Sequence, residues 1–172
     1  MVSRIQGWIR PIALGICIGL LLMGLSCFGA APSFAQENTV DYTYTDLSRR
    51  DLSHTDFSGT SFAAAEARET NFEGSDLSKT ILTKASFLRA KLRGANLSES
   101  FADRVIFDEA DLTNAVIIDA IMSSSSFRDA TITGADFSGT ILDRYQVAQM
   151  CQYADGVNPA TGMATRDSLG CR

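Results

Sequence analysis

From Leu47 to Leu142 every fifth residue of this chain is apolar, without interruption. The centres are Leu47, Leu52, Phe57, Phe62, Ala67, Phe72, Leu77, Leu82, Phe87, Leu92, Leu97, Ala102, Phe107, Leu112, Ile117, Met122, Phe127, Ile132, Phe137 and Leu142. Two positions before a centre the side chain is almost always small, as at Thr55, Thr60, Ala65, Thr70, Ser75, Ala85, Ala95, Ala110 and Ala120. A period of five fits neither the 3.6 of a helix nor the 2 of a strand, so it marks a repeat architecture. A chain that turns a corner every five residues needs a small residue where the turn is tight and a large apolar one to fill the middle. Four such corners close one square coil, and the twenty centres make five coils. At a strand spacing of about 4.8 Å these stack into a rod roughly 24 Å long.

The first 35 residues are of another kind. Arg4 and Arg10 give a positive start, Ile12 to Leu25 run apolar, and Ser33-Phe34-Ala35 precedes Gln36. This is the layout of a secretory signal peptide over residues 1–35, with Gln36 as the expected mature N-terminus. A retained anchor is the alternative, since Ile9 to Ala35 is long enough to span a bilayer, and membrane contact is expected only through an uncleaved leader. A lipid anchor on Cys27 fits poorly, because Gly24 stands where a branched apolar residue is wanted. Without a twin-arginine pair, export in the unfolded state is expected.

Loss of the leader leaves 13 basic against 20 acidic residues, a formal charge of −7. Such a surface repels phosphate backbones, so no nucleic-acid partner is expected. Cys17 and Cys27 leave with the leader, and Cys151 and Cys171 remain as an even pair in an exported chain. That is the setting in which a disulfide persists; two buried thiols or a thiol switch are the alternatives.

Stacked coils leave an open edge at each end and need caps. Residues 36–44 are the N-terminal candidate, 45–144 the repeat and 145–172 the C-terminal cap. In the last segment Val147, Met150, Cys151 and Ala154 fall at helical spacing, and Gly156 with Asn158-Pro159 ends that helix. Thr165 is a candidate cap for a last short turn before Leu169 and Gly170.

Ala95-Asn96-Leu97-Ser98, Ala110-Asp111-Leu112-Thr113 and Ala135-Asp136-Phe137-Ser138 resemble the pentapeptide-repeat family, whose consensus is Ala-(Asp/Asn)-Leu-x-x. The resemblance implies an all-β solenoid, a right-handed quadrilateral β-helix in which the centre and the small residue face inward. The tail, from Cys151 through Ala154-Asp155-Gly156 to Leu169-Gly170-Cys171, looks like the ending of thylakoid-lumen members of that family in cyanobacteria and chloroplasts. That likeness implies short α-helices folded over the last coil and tied by Cys151–Cys171.

Catalysis is not expected. His54 is the one histidine, at an outward position beside Thr55 and Asp56. Gly59, Gly74, Gly94, Gly134 and Gly139 share one late position of their repeats, which marks them as corner residues rather than a phosphate loop. No transition-metal ligand set is present, and no cofactor is expected. Residues 20 apart stack, so function is sought in the outward columns. Asp56, Asp76, Asn96, Val116 and Asp136 form an oxygen ladder that could take Ca²⁺, although aspartate is simply the consensus there. The next column reads Ser61, Ile81, Phe101, Ile121, Ile141. Apolar residues replace the consensus on four successive coils, and an exposed stripe of that kind marks a contact site. Either the N-terminal segment or the C-terminal helices could instead cover it, and Ile106 and Val116 could widen it from other faces. Ala67 and Ala102 are undersized centres, with Phe101 expected to compensate in part for Ala102.

The expectation is therefore a non-enzymatic, monomeric protein of the thylakoid lumen or periplasm that binds an unidentified protein partner. The alternative is an acidic DNA mimic of the gyrase-inhibitor type, which the leader disfavours because an exported protein never meets gyrase.

Overall fold

The computed structural model describes residues 40–172. The chain divides into two units, Met1–Gln36 and Glu37–Arg172, and every described residue falls in the second. The leader and the expected cleavage after Ala35 lie outside the described residues.

Parallel bridges join each residue just before a centre to its equivalent 20 positions on, from Asp41↔Ser61 through Asn96↔Val116 to Ile121↔Ile141. That offset is four repeats, so each coil has four short sides. The backbone is accounted for coil by coil. The amide of a centre donates forward, as in Leu47 to the Glu66 carbonyl at 2.7 Å and Leu97 to the Val116 carbonyl at 2.7 Å. The residue before a centre donates backward, as in Glu66 to the Thr45 carbonyl at 3.0 Å. Most corners close with a bond from the third residue after the centre, for example Arg50 to the Leu47 carbonyl at 3.1 Å.

Every corner needs a positive φ two residues after its centre. Glycine supplies it at Gly59 and Gly139, but Arg49 (φ 60°), Lys84 (φ 61°) and Glu109 (φ 58°) adopt it with full side chains. A left-handed residue with a Cβ costs roughly 1 kcal/mol, and here the ladder bonds on both sides of the corner over-determine it. This conformation repeats from Tyr44 onward, one repeat before Leu47. Within the segment read as an N-terminal cap, Asp41 bridges Ser61 and the Tyr42 ring stacks on Phe62 at 5.0 Å. Tyr42 thus stands in register as one more centre, which the sequence pattern hides because tyrosine is partly polar.

The centres are buried, except that Leu52 and Leu142 are partly covered. Both lie in terminal coils, which have a neighbour on one side alone. Rings stack up one interior column, Phe87 on Phe107 at 5.5 Å and Phe107 on Phe127 at 5.2 Å. Phe57, Phe62 and Phe72 meet edge to face at 5.4 to 6.1 Å, and the undersized centre Ala67 between Phe62 and Phe72 is itself fully buried. Phe101 does not compensate for Ala102: it points outward and is 45% exposed. The Ser125 hydroxyl reaches into that corner instead, donating to the Ala102 carbonyl and accepting from the Val105 amide. Thr70 and Ser75 make the equivalent bonds to the Leu47 and Leu52 carbonyls at 2.8 Å. Some inward hydroxyls therefore tie one coil to the next, whereas Thr80 bonds the Leu77 carbonyl of its own coil and Thr60 and Ser100 are buried without a hydrogen-bond partner among the described residues.

After Leu142 the chain forms helix α1 (Arg144–Met150) and helix α2 (Thr165–Ser168). The Cys151–Cys171 disulfide, with Cα atoms 5.6 Å apart, links the end of α1 to the C-terminus. Met150 is fully buried, and Ala154 and Leu169 join the same core. Asn158 is also fully buried. Its Nδ2 donates to the Asn114 and Ala115 carbonyls at 3.2 and 3.1 Å, and its Oδ1 accepts from the amides of Ala160 and Thr161. Its position in the sequence suggested a helix breaker; its structural use is to pin the tail to the repeat.

Candidate interaction face

The residue before each centre is outward, and in most columns it does local work. When it is aspartate or asparagine, its Oδ1 accepts the amide two residues on. Asp46 takes Ser48 at 2.9 Å, Asp76 takes Ser78 at 2.9 Å and Asn96 takes Ser98 at 3.1 Å. This is an Asx turn, in which the side chain caps the start of the corner. The hydroxyls and amides of Thr43, Ser48 and Ser53 hold Asp41, Asp46 and Asp51 below the ordinary carboxylate value. At two steps asparagine follows aspartate and donates to it, Asn71 Nδ2 to Asp51 at 2.9 Å and Asn96 Nδ2 to Asp76 at 3.1 Å, whereas Asp46 is followed by Glu66 and Asp56 by Asp76. In the candidate Ca²⁺ ladder one side-chain oxygen of each of Asp56, Asp76, Asn96 and Asp136 is thus engaged in turn capping or a ladder bond. Among the described residues no group of three or more His, Cys, Asp or Glu side chains is placed to hold a metal ion.

One buried carboxylate stands apart. Asp108 accepts the Ser126 hydroxyl, the Arg128 amide at 3.0 Å and the Arg128 guanidinium at 2.9 and 2.6 Å. Burial pushes its pKa up, but the bonds from Ser126 and Arg128 together outweigh burial and leave it below the ordinary value. The bonds run from one coil to the next and act as a structural clasp. His54 is exposed at a corner and lies across Gly74, where an added Cβ would meet its Nδ1 at 2.6 Å.

The Ile81 column breaks the capping rule. Ile81, Phe101, Ile121 and Ile141 are 47, 45, 37 and 56% exposed. They bridge one another in sequence, Ile81↔Phe101↔Ile121↔Ile141, so their Cα atoms rise one coil at a time on one face. None can accept the amide of Thr83, Asp103, Ser123 or Asp143, so each gives up the bond its counterparts make. Among the described residues neither α1 nor α2 covers them. Ile106 is exposed on another face (43%), and Val116 is half-buried.

The remaining surface is mixed in charge. Arg49, Glu69, Arg89 and Glu109 alternate up one corner, with contacts of 3.5, 3.6 and 3.8 Å. Exposed pairs of this kind contribute little to stability, but they interrupt any continuous acidic track.

The pentapeptide-repeat family model matches residues 43–78, 63–99 and 106–144. The chain is 55% identical over 42 residues to the thylakoid lumenal protein TL20.3 of Arabidopsis thaliana chloroplasts, 24% of this chain and 15% of that one. It is 50% identical over 48 residues to the thylakoid lumenal 15 kDa protein 1 of the same plant, 28% of this chain and 21% of that one. The matched stretches thus span under a quarter of these relatives. Among solved structures, a pentapeptide repeat protein from the Arabidopsis thaliana thylakoid lumen aligns with a TM-score of 0.55 at 37% identity, over 74% of this chain and 88% of that one. A pentapeptide repeat protein from Nostoc aligns with a TM-score of 0.52 at 21% identity, over 60% of this chain and 84% of that one, a likeness of fold. The five-residue frame, the 20-residue bridge offset and these matches agree: the chain belongs to the pentapeptide-repeat family.

Proposed function

We propose that this protein is a non-enzymatic rod of the thylakoid lumen that binds a protein partner along the column Ile81, Phe101, Ile121 and Ile141. In this reading the leader is removed at Gln36. The repeat forms a right-handed β-helix of about five coils, and the disulfide-tied helices close its C-terminal end. The observation that carries the reading is the column itself: four coils give up a turn-capping bond to place apolar side chains in water. Turn stability alone favours aspartate at those positions, so the exchange is best explained by contact with another surface. The lumenal location is supported by the names of the similar Arabidopsis proteins. Mixed charge up the Arg49 corner argues against imitation of a DNA backbone, which needs an unbroken run of negative charge.

The test is affinity capture from lumenal and membrane fractions with the native protein and a Phe101→Asp, Ile121→Asp variant. A partner recovered by the native protein and lost by the folded variant supports the reading. Equal recovery by both rejects the column as the interface.

A further inference from the structure

Helix α1 stands beside the outward edge of Ser126–Asp129 and leaves a groove of about 410 Å³ between them. The volume falls within the range of small-ligand sites. Its walls mix polar groups with aromatic rings. Tyr145 is 70% exposed and Tyr153 43%; Tyr153 Oη donates to the Phe127 carbonyl at 3.2 Å, which anchors the tip of its ring. Gln149 and Gln152 line the same space, and their carboxamides make no hydrogen bond within the described residues. Arg128 spends Nε and Nη2 on Asp108 and keeps Nη1 free, while the Asp129 carboxylate accepts no bond.

The donor and acceptor inventory selects a ligand class. Carboxamides both give and accept, the carboxylate accepts, and the guanidinium nitrogen gives. A ligand that uses all three must carry donors and acceptors side by side, as neighbouring hydroxyls do. Exposed tyrosine faces suit the C–H face of a ring. With Asp108 counted against Arg128, Asp129 leaves the groove net negative, which disfavours phosphates and carboxylates. No aliphatic side chain lines it, and its apolar surface is that of the aromatic rings Phe127, Tyr145 and Tyr153. The groove is also held in shape, since Cys151–Cys171 fixes the end of α1 and Arg166 Nη1 donates to the Cys151 carbonyl at 2.8 Å. Such preorganisation lowers the cost of binding.

We propose that this groove binds a neutral, hydroxyl-rich ligand of monosaccharide or disaccharide size, gripped by Gln149, Gln152 and Asp129 and stacked on Tyr145. The test is titration of the ¹⁵N-labelled protein with maltose and with N,N′-diacetylchitobiose. The expected result is a saturable, millimolar-range shift of amides in residues 126–129 and 144–153 with at least one disaccharide, weakened about tenfold in Tyr145→Ala or Gln149→Ala. Both substitutions are at exposed positions, and an unchanged melting temperature checks that the fold is intact. Absence of any shift up to about 50 mM of both sugars overturns the proposal. So does an unchanged affinity in Tyr145→Ala, tighter binding of glucose 6-phosphate than of maltose, or a captured protein that Tyr145→Ala alone releases.

Discussion

An isoleucine where the repeat elsewhere places aspartate changes two energies of opposite sign. Ile121 exposes part of its side chain and leaves the Ser123 amide without the cap that Asp76 gives Ser78. Ile121→Asp should therefore restore a turn cap while removing little buried area, and stability should stay within about 0.5 kcal/mol of the native value. Urea denaturation of the single variant measures this. A loss above about 2 kcal/mol would mean that the column is internal packing. Asp108 behaves in the opposite way. Asp108→Ala strips partners from Ser126 and from the Arg128 amide and should lower stability by about 1–3 kcal/mol. The folded pKa of Asp108 is depressed, so its contribution is complete above the unfolded value near 4 and is lost as pH falls through the lower folded value. Asp41, Asp46, Asp51 and Asp56 shift in the same direction. The melting temperature should hold from about pH 7 to 5 and fall below about pH 4, with a shallower fall in Asp108→Asn. A melting temperature that rises on acidification would contradict the sign.

At the scale of elements, the coils and the tail were legible to different degrees. The five-residue period placed the centres because one apolar residue per side is all that a narrow interior admits, and that demand is local and strict. The tail depends on contacts far apart in sequence. Met150, spaced on a helical stripe, is buried as the stripe implied, but nothing local marks Asn158 as a side chain that reaches carbonyls more than 40 residues away. The unpaired carboxamides beside Tyr145 were equally invisible, since glutamine on a short helix reads as a solvated face. Ile81 to Ile141 stood out in the sequence because they break a strong consensus, whereas their exposure depends on where α1 lies. The tail is held by Asn158, by an antiparallel Val157↔Ala164 bridge and by a disulfide closing a separation of 20 residues. In the chain-entropy model a loop of that size contributes roughly 3 kcal/mol. Replacing both cysteines by serine should speed amide exchange in residues 144–171 and in the last repeats, with little change at Phe87 or Leu97. Uniform acceleration along the repeat would show that the tail and the coils unfold together.

Across the whole repeat unit, each coil touches only the coils before and after it, so stability is a sum of coil terms and neighbour terms. The position of a lesion should then matter more than its chemistry. Leu52 sits in a terminal coil and is partly covered, whereas Leu97 is completely buried in the middle. Leu52→Asp should fray the first coil and leave the amides of Ile121 and Asp136 protected, because the coils beyond keep their neighbours. Leu97→Asp buries an unpaired charge, which an interior accepts only at a cost of several kcal/mol. It also separates the unit into two stretches of about two coils each, and stacked repeats need about three units to be stable. The same Ile121 and Asp136 amides, far from the substitution, should lose protection, and the far-UV circular dichroism should fall to that of an unfolded chain. Protection of those amides in Leu97→Asp would mean that short stacks stand alone, held at the C-terminal end by α1 and the Cys151–Cys171 link. Loss of protection in both variants would mean that a terminal coil is as necessary as a central one, against a nearest-neighbour account of the fold.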